Sequence, residues 1–298
     1  MAGRGGREAI AELPCWRGAW QAEPLTGGLS NEIWKVTDAA GAHVVRFGTD
    51  YPWHHVDRRR EAMAARAAHA AGFAPAVEHT GPGVMVTAFV EARTWGPEDV
   101  AADPARVGRL LARFHREMPA HVSGPGYMFW VFHVVRDYAR TLAGARSPHA
   151  RDLPRYLALN AALEARQVPL RIVFGHHDLL PANFLDDGER LWLIDYEYAG
   201  FSTPLFDLAG VVANAGMPPE AARELIGAYL DRTPPAELLR AFDAMQCAAL
   251  LREAMWAMVS ALFMSAPGVD YDDYARQNLA ALEAAVQGYS AAHRETLP

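Results

Sequence analysis

The pattern of apolar and polar positions in the first ninety residues is typical of short strands. Residues 29–37 and 42–47 are rich in Ile, Val, Trp and Phe and flank a turn sequence, which predicts a β-hairpin. Two further apolar runs, 76–79 and 84–90, flank a Thr-Gly-Pro-Gly turn and predict a second hairpin. The N-terminal part is therefore expected to be a small antiparallel sheet.

Helical patterns begin after the first hairpin. Residues 56–71 are rich in Ala, Arg and Glu without proline, and Gly72 stands where a helix would end, so one helix is predicted there. Beyond Asp103, apolar residues recur with the spacing of one helix face, and the rest of the chain is predicted to be mostly helical. The first such set consists of Val107, Leu110, Leu111 and Phe114.

One further hairpin, over residues 183–195, interrupts the helical part, and its apolar residues on both faces predict that it is buried. Neither an internal repeat nor a long linker divides the chain, so residues 91–97 are expected to be a hinge. The sequence predicts an α+β fold with two lobes that share a cleft. The small sheet lobe comprises residues 1–91, and the larger helical lobe comprises residues 92–298.

Composition and charge narrow the range of functions. The 298 residues are 51% hydrophobic and 21% charged, as in an ordinary globular protein. The net charge of −7 removes the basic field that binders of nucleic acids and anionic membranes need, so neither partner is expected, and a cationic or metal-chelated ligand suits the chain better. The two cysteines are too few for a disulfide scaffold or a zinc cage. The start of the chain lacks an apolar signal core, and we expect a cytoplasmic protein.

The segment around Asp178 carries the candidate chemistry. His176, Asp178 and Asn183 form an H-x-D-x-x-x-x-N pattern, and a hydrophobic strand then ends at Asp195. Phosphoryl transfer with magnesium needs a carboxylate to orient the attacking hydroxyl, and an amide oxygen and a second carboxylate to hold the metal. We assign the first role to Asp178 and the second to Asn183 and Asp195. The alternative is a set of unrelated polar residues that cap a buried hairpin.

This segment resembles the choline/ethanolamine kinase family of the protein-kinase-like phosphotransferases, and other segments extend the resemblance over roughly residues 20 to 290. The resemblance implies a bilobal protein-kinase-like fold. It also implies that ATP binds to the N-terminal lobe, that Mg²⁺ is required, and that the C-terminal lobe carries the catalytic and substrate-binding residues.

On the nucleotide side, the resemblance implies that Arg46 contacts phosphate and that Glu61 on the following helix positions it. Arginine in this role fits a chain whose 28 basic residues include a single lysine, Lys35. Ala88 and Val90 belong to a segment that resembles the adenine-binding hinge. A loop that resembles the phosphate-contacting loop contains Gly27, Gly28, Ser30 and Asn31.

On the substrate side, three aromatic residues match the family's binding wall: Tyr198, Trp256 and Tyr274. Aromatic faces suit a trimethylammonium group, which has no hydrogen-bond donor. Glu253 stands where the family's eukaryotic members have a second tryptophan, and a carboxylate there also suits a primary amine. Glu197 matches a glutamate near the metal or the substrate.

The resemblance therefore implies ATP- and Mg²⁺-dependent phosphorylation of a small amino alcohol, with choline preferred. Ethanolamine, thiamine and aminoglycosides remain alternative acceptors. A catalytically inactive module that binds nucleotide or amine is a further alternative, although Asp178, Asn183 and Asp195 are all present. The sequence leaves the oligomeric state and the number of metal ions open.

Overall fold

The N-terminal part of the molecule is built around one antiparallel sheet. A computed structural model describes residues 6–25, 32–265 and 268–298. The strands of the sheet follow the order β1-β2-β3-β5-β4, and both predicted hairpins, β2–β3 and β4–β5, are confirmed. These strands are β1 (Gln21–Pro24), β2 (Glu32–Asp38), β3 (Gly41–Phe47), β4 (Val77–Gly81) and β5 (Val84–Ala88).

A short helix that the sequence pattern did not predict, α1 (Gly6–Ala11), covers one face of this sheet. Its Ile10 packs against Val36, Val45 and Val86 in a small separate core. Because side chains alternate across a strand, Arg46 lies on the face opposite to Val45. That face looks toward the rest of the molecule.

The predicted helix of the N-terminal part is confirmed as α2 (Arg58–Ala70). Asp57 caps its N-terminus by accepting hydrogen bonds from the backbone N–H groups of Arg59 at 2.8 Å and Arg60 at 3.1 Å. Gly72 follows the helix with a φ of 78°, a conformation that suits a residue without a Cβ. Four buried alanines of α2 belong to the larger hydrophobic core that the C-terminal part supplies: Ala64, Ala65, Ala67 and Ala68. The division at residue 91 stays a prediction.

The remainder of the chain is mostly helical, as predicted. Asp103 caps α4 by accepting a hydrogen bond from the backbone N–H of Arg106 at 3.0 Å, and the apolar face predicted for this helix is buried except at Leu110, which is half-buried. The helices are α3 (Pro97–Ala102), α4 (Pro104–Glu117), α5 (Val131–Gly144), α6 (Leu153–Glu164), α7 (Leu205–Ala215), α8 (Pro219–Leu230), α9 (Ala236–Phe263) and α10 (Tyr271–His293).

Short strands between these helices position residues 176–197, the candidate catalytic segment. The predicted hairpin is present as β8–β9, but only one of its faces is buried, because Leu185 and Trp192 remain half-buried. The expected hinge contains β6, which pairs with β8 through Arg93 and Asp186. The strands are β6 (Arg93–Thr94), β7 (Val173–Gly175), β8 (Phe184–Asp186), β9 (Leu191–Leu193) and β10 (Gly200–Ser202).

Helix α9 is the centre of the larger core. It packs against α5, α6, α7 and α10, and its residues are buried on most sides. Within the described ranges, none of the helices has both the length and the apolar character to cross a lipid bilayer.

Candidate active site

Strand β7 leads directly into the catalytic segment. Gly175 ends the strand, and a Cβ at this position would lie 2.3 Å from Nε2 of His177 and 2.9 Å from Oδ2 of Asp207. His177 has a φ of 64°, so the chain turns sharply just before Asp178. The close packing at Gly175 thereby fixes where the side chain of Asp178 begins.

Asp207, near the start of α7, holds this turn. Its carboxylate accepts the backbone N–H groups of His176 at 2.8 Å and His177 at 2.7 Å, and it contacts Nε2 of His115 at 2.8 Å. Burial alone would raise the pKa of Asp207, but the neighbouring histidines His177 and His115 outweigh it and hold the pKa well below its usual range. A charged carboxylate therefore anchors the backbone of the catalytic segment.

The two histidines of the segment are buried and brace it. His176 contacts the backbone oxygen of Ile194 through Nε2 at 3.0 Å, and its Nδ1 lies 3.3 Å from the N–H of Asp178. Burial lowers the pKa of His176 and of His177 to about 4. Both rings are neutral near pH 7, so they position Asp178 without carrying charge.

The structure brings the three residues of the sequence pattern together. Nδ2 of Asn183 donates to the backbone oxygen of Asp178 at 2.7 Å and lies 3.4 Å from its Oδ2. The backbone N–H of Ile194 donates to the backbone oxygen of Asn183 at 3.1 Å, which places Asp195 beside Asn183. Asn183 and Asp195 thus occupy the two ends of the β8–β9 hairpin, next to Asp178.

Negative charge accumulates around this point. Burial, reinforced by the charges of Asp195 and Glu197, raises the pKa of Asp178 well above its ordinary value. Burial and the charge of Asp195 also raise the pKa of Glu197 to about 7, although Arg58 opposes the rise. Mutual repulsion between carboxylates is relieved when a cation binds among them.

These residues fit a magnesium ion that also binds phosphate. The side-chain amide nitrogen of Asn183 is held by Asp178, and its oxygen accepts no hydrogen bond within the described part of the chain. No cluster of three or more His, Cys, Asp or Glu side chains among the described residues could hold a metal alone. Magnesium commonly takes one or two carboxylates and completes its shell with substrate phosphates and water. Asn183 and Asp195 would hold the ion in this way.

A chain of ion pairs links the N-terminal sheet to the acidic group. Arg46 on β3 pairs with Glu61 of α2, and its Nη1 lies 3.4 Å from Oδ1 of Asp195. Nη1 of Arg58 lies 2.7 Å from Oε2 of Glu61 and 2.9 Å from Oε2 of Glu197. The buried Glu61 therefore bridges Arg46 and Arg58. Each of these arginines also reaches a carboxylate of the catalytic segment, Asp195 or Glu197. The expected Arg46–Glu61 pair is present, and Arg58 was not predicted.

The remaining nucleotide-side residues divide into two groups. The backbone N–H of Ala88 donates to the oxygen of Ala76 at 2.9 Å, whereas the backbone of Val90 makes no hydrogen bond within the described ranges. The role of Ala88 and Val90 in adenine binding stays a prediction. The loop residues Gly27, Gly28, Ser30 and Asn31 lie outside the described residues.

The aromatic residues of the predicted substrate wall do contact one another. Nε1 of Trp256 donates to the hydroxyl of Tyr198 at 2.8 Å, and the rings of Trp256 and Tyr274 meet edge to face at 6.2 Å. Trp256 is only 8% exposed, and the ring of His54 stacks on it at 5.2 Å. Trp256 and Tyr198 are therefore packed together and present little open ring surface.

A cavity of about 20 Å³ beside Asp178, enough for about one water molecule, is lined by both polar and apolar residues. Its walls include Asp178, Asn214, Arg252 and Glu253, and none of the three predicted rings lines it. Oε1 of Glu253 accepts the hydroxyl of Tyr274 at 2.9 Å, and Oε2 of Glu253 accepts Nη1 of Arg252 at 2.7 Å. Glu253 therefore lies at the wall of this cavity.

Sequence reasoning missed three residues that shape the site: Arg58, His54 and Arg252. Arg58 could have been found from its spacing of three residues to Glu61, which places both on one helix face. His54 and Arg252 gave no signal, because their roles depend on buried contacts with residues distant in sequence.

The molecule combines a two-lobed α+β fold with an H-x-D-x-x-x-x-N segment, a strand-terminal aspartate and an arginine–glutamate pair. These features together define a phosphotransferase of the protein-kinase-like class. The chain belongs to the APH phosphotransferase enzyme family, whose sequence profile matches residues 21–242. It is accordingly a small-molecule kinase.

Individual relatives agree with this assignment. The chain is 29% identical to a probable ethanolamine kinase of Arabidopsis thaliana, over 80% of this chain and 72% of the relative. A choline/ethanolamine kinase family protein from Mesorhizobium loti superimposes with a TM-score of 0.74 at 29% identity, over 94% of this chain and 93% of the other. The choline kinase LicA of Streptococcus pneumoniae shares the fold, with a TM-score of 0.73 at 18% identity over 95% and 97% of the two chains.

Proposed function

We propose that this chain transfers the γ-phosphoryl group of ATP to the hydroxyl of a small amino alcohol, with Mg²⁺ as the cofactor. The observation that carries the proposal is the convergence of Asp178, Asn183 and Asp195 at the base of one hairpin, with Arg46 reaching Asp195 from the other lobe. The relatives named above support a choline- or ethanolamine-like acceptor.

In the proposed reaction, the oxygen of the acceptor hydroxyl attacks the γ-phosphorus of ATP, and Asp178 accepts the proton of that hydroxyl. The bond between the γ-phosphorus and the bridging oxygen of the β-phosphate breaks, and ADP leaves. Contacts with the side chain of Asn183 and with Nδ1 of His176 hold the backbone of Asp178 in position for this role. Arg46, fixed by Glu61, positions phosphate, as do the loop residues Gly27 and Gly28. Magnesium, when bound, neutralises the charge that develops on the phosphates.

The acceptor is the finer part of the proposal. The sequence predicts choline through an aromatic box, but Trp256 and Tyr198 are buried against each other and His54 covers Trp256. Glu253 lies at the wall of the cavity beside Asp178, and a carboxylate there can accept an N–H group of a primary ammonium in addition to its contacts with Tyr274 and Arg252. Ethanolamine is therefore the second candidate, and the preference for choline stays a prediction.

A larger acceptor with several ammonium groups, such as an aminoglycoside, needs an open acidic cleft. The wall beside Asp178 carries the buried cation of Arg252 as well as Glu253. A buried cation there opposes a ligand with several ammonium groups more strongly than a ligand with one. A catalytically inactive module that only binds nucleotide would not need the polar contacts between Asp178 and Asn183. The presence of these contacts therefore favours an active kinase over an inactive module.

The test is a screen of choline, ethanolamine, thiamine and kanamycin with ATP and Mg²⁺, followed by coupled measurement of ADP release. We expect turnover with ethanolamine and choline that saturates at low acceptor concentration, and the larger kcat/KM of the two identifies the preferred acceptor. An Asp178→Asn variant, which keeps the shape of the side chain, serves as the inactive control. Turnover with kanamycin or thiamine but neither amino alcohol would refute the acceptor class, and turnover with none of the four would refute the proposal.

A further inference from the structure

A second concave site lies away from the catalytic cleft, between α4 and the β8–β9 hairpin. It is a cavity of about 270 Å³ lined by four arginines and two leucines: Arg106, Arg109, Leu110, Arg113, Arg190 and Leu191. We call it the arginine pocket. None of these six residues carries a carboxylate, although the whole chain has a net charge of −7.

The sequence places three of these arginines on one face of α4. Arg106, Arg109 and Arg113 are spaced three and four residues apart, so their side chains project in the same direction along the helix. Arg190 reaches the pocket from the turn of the β8–β9 hairpin, which forms the opposite wall. Arginine side chains from two different elements therefore line one pocket.

Aromatic rings hold three of the guanidinium groups in place. The guanidinium carbon of Arg190 lies 3.6 Å from the ring centre of Trp192, that of Arg113 lies 4.4 Å from Phe73, and that of Arg106 lies 5.5 Å from Trp95. A guanidinium over a ring face keeps the N–H groups at its edge available to an anion. The pocket is thus partly ordered before any ligand binds.

Carboxylates leave much of this charge uncompensated. Arg106 pairs closely with Asp186, with contacts at 2.8 and 3.2 Å. The nearest carboxylate contacts of Arg113 and Arg190 are long, at 3.7 and 4.0 Å, and Arg109 has no ion-pair partner within the described part of the chain. Long, exposed pairs of this kind contribute little, so an anionic ligand can compete with them.

We propose that the arginine pocket binds a small polyphosphate anion. Guanidinium groups bind phosphate oxygens through paired N–H donors, and four of them provide more donors than one phosphate group can accept. The volume of the pocket suits a compact ligand rather than a folded partner. The pocket is distinct from the catalytic site, because none of its lining residues contacts Asp178, Asn183 or Asp195 through a hydrogen bond or ion pair.

The test uses sodium tripolyphosphate as the probe in magnesium-free buffer, with binding measured by titration calorimetry. We expect the double variant Arg109→Gln/Arg113→Gln to lose at least tenfold in affinity at this site, and Arg190→Gln on the opposite wall to weaken binding as well. The matched control is Arg155→Gln/Arg276→Gln, which removes the same charge from exposed arginines elsewhere and should bind within twofold of the wild type. Circular dichroism confirms that each variant is folded.

Equal binding by the wild type and the pocket variants would overturn the proposal, because the probe would then occupy only the nucleotide site. An equal loss in the pocket and control variants would also overturn it, because net charge alone would explain the binding. Binding of a polyglutamate peptide without binding of tripolyphosphate would assign the surface to an acidic protein segment instead.

Discussion

Nη1 of Arg46 lies 3.4 Å from Oδ1 of Asp195, although 149 positions separate the two residues. Arg46 belongs to the sheet of the N-terminal part, and Asp195 ends the hairpin of the catalytic segment. This contact places the expected phosphate-binding cation next to the expected metal ligand. A nucleotide phosphate bound to both would therefore lie between the two parts of the molecule, where Asp178 can direct a hydroxyl toward it.

Replacement of Asp195 by asparagine should abolish most magnesium-dependent turnover. Asparagine tolerates the φ of 69° at this position, so the fold should persist while a charged metal ligand is lost. We expect kcat to fall by at least about 10²-fold. ADP release measured across a magnesium titration checks this, with the exposed Asp272→Asn as the control. A variant with full activity would remove Asp195 from the catalytic machinery.

Replacement of Glu61 by glutamine should weaken ATP binding. The charge that holds Arg46 and Arg58 is lost, and a hydrogen bond to a charged group contributes about 1.5–3 kcal/mol. We expect KM for ATP to rise roughly tenfold or more, while KM for the amino alcohol changes little. Glu98→Gln, an exposed change on α3, is the matched control. An unchanged KM for ATP would mean that Glu61 does not position Arg46.

Replacement of Glu253 by glutamine should separate the two amino alcohols. A primary ammonium can donate to the carboxylate, and loss of that charge should lower kcat/KM for ethanolamine by about tenfold. A trimethylammonium has no donor, so kcat/KM for choline should fall less. The exposed Glu237→Gln on the same helix controls for charge, and thermal unfolding checks that loss of the Arg252 partner has not destabilised the fold. Equal losses for both acceptors would place Glu253 away from the ammonium group.

Acid should destabilise the protein through buried histidines. Burial lowers the pKa of His54 to about 3 and that of His176 and His177 to about 4. The unfolded chain binds protons at these residues below about pH 6.5, so stability is lost as the pH falls from about 6.5 toward 4. Glu197 and Asp178, whose pKa values are raised, act in the opposite sense and offset part of the effect.

We expect the free energy of unfolding to fall less between pH 7 and pH 5 in a His54→Gln variant than in the wild type, because the variant lacks one of the buried neutral histidines. Urea unfolding of both proteins at the two pH values measures the difference. An equal pH dependence in the two proteins would contradict the neutral, buried state of His54.

Replacement of Gly175 by alanine should disrupt the catalytic segment. The added Cβ would overlap His177 and Asp207, which together hold the turn before Asp178. We expect a large loss of kcat and a lower melting temperature. Gly288→Ala, a helical position with open space, should instead stabilise the protein by about 0.5–1 kcal/mol. Normal activity in the Gly175 variant would show that the turn adapts without moving Asp178.

Local sequence patterns were sufficient for much of the fold. Periodicity, turn residues and capping residues act over a few neighbouring positions. They were enough to predict both N-terminal hairpins, helix α2 and the apolar face of α4. The short helix α1 and strands β1, β6 and β10 escaped prediction because they are brief and depend on partners far along the chain. Leu185 and Trp192 are half-buried because only tertiary packing decides which face of the β8–β9 hairpin is covered.

Residue types and their spacing identified the chemical groups of the candidate site, because the arrangement of Asp178, Asn183 and Asp195 around one hairpin is a local property. What surrounds these groups follows from the packing of the whole chain. Arg58 reaches Glu197, and His54 covers Trp256, through contacts between residues 139 positions apart or more. Burial, charge and ring exposure are properties of the packed molecule, so residue types alone could not reveal that Trp256 and Tyr198 are buried against each other.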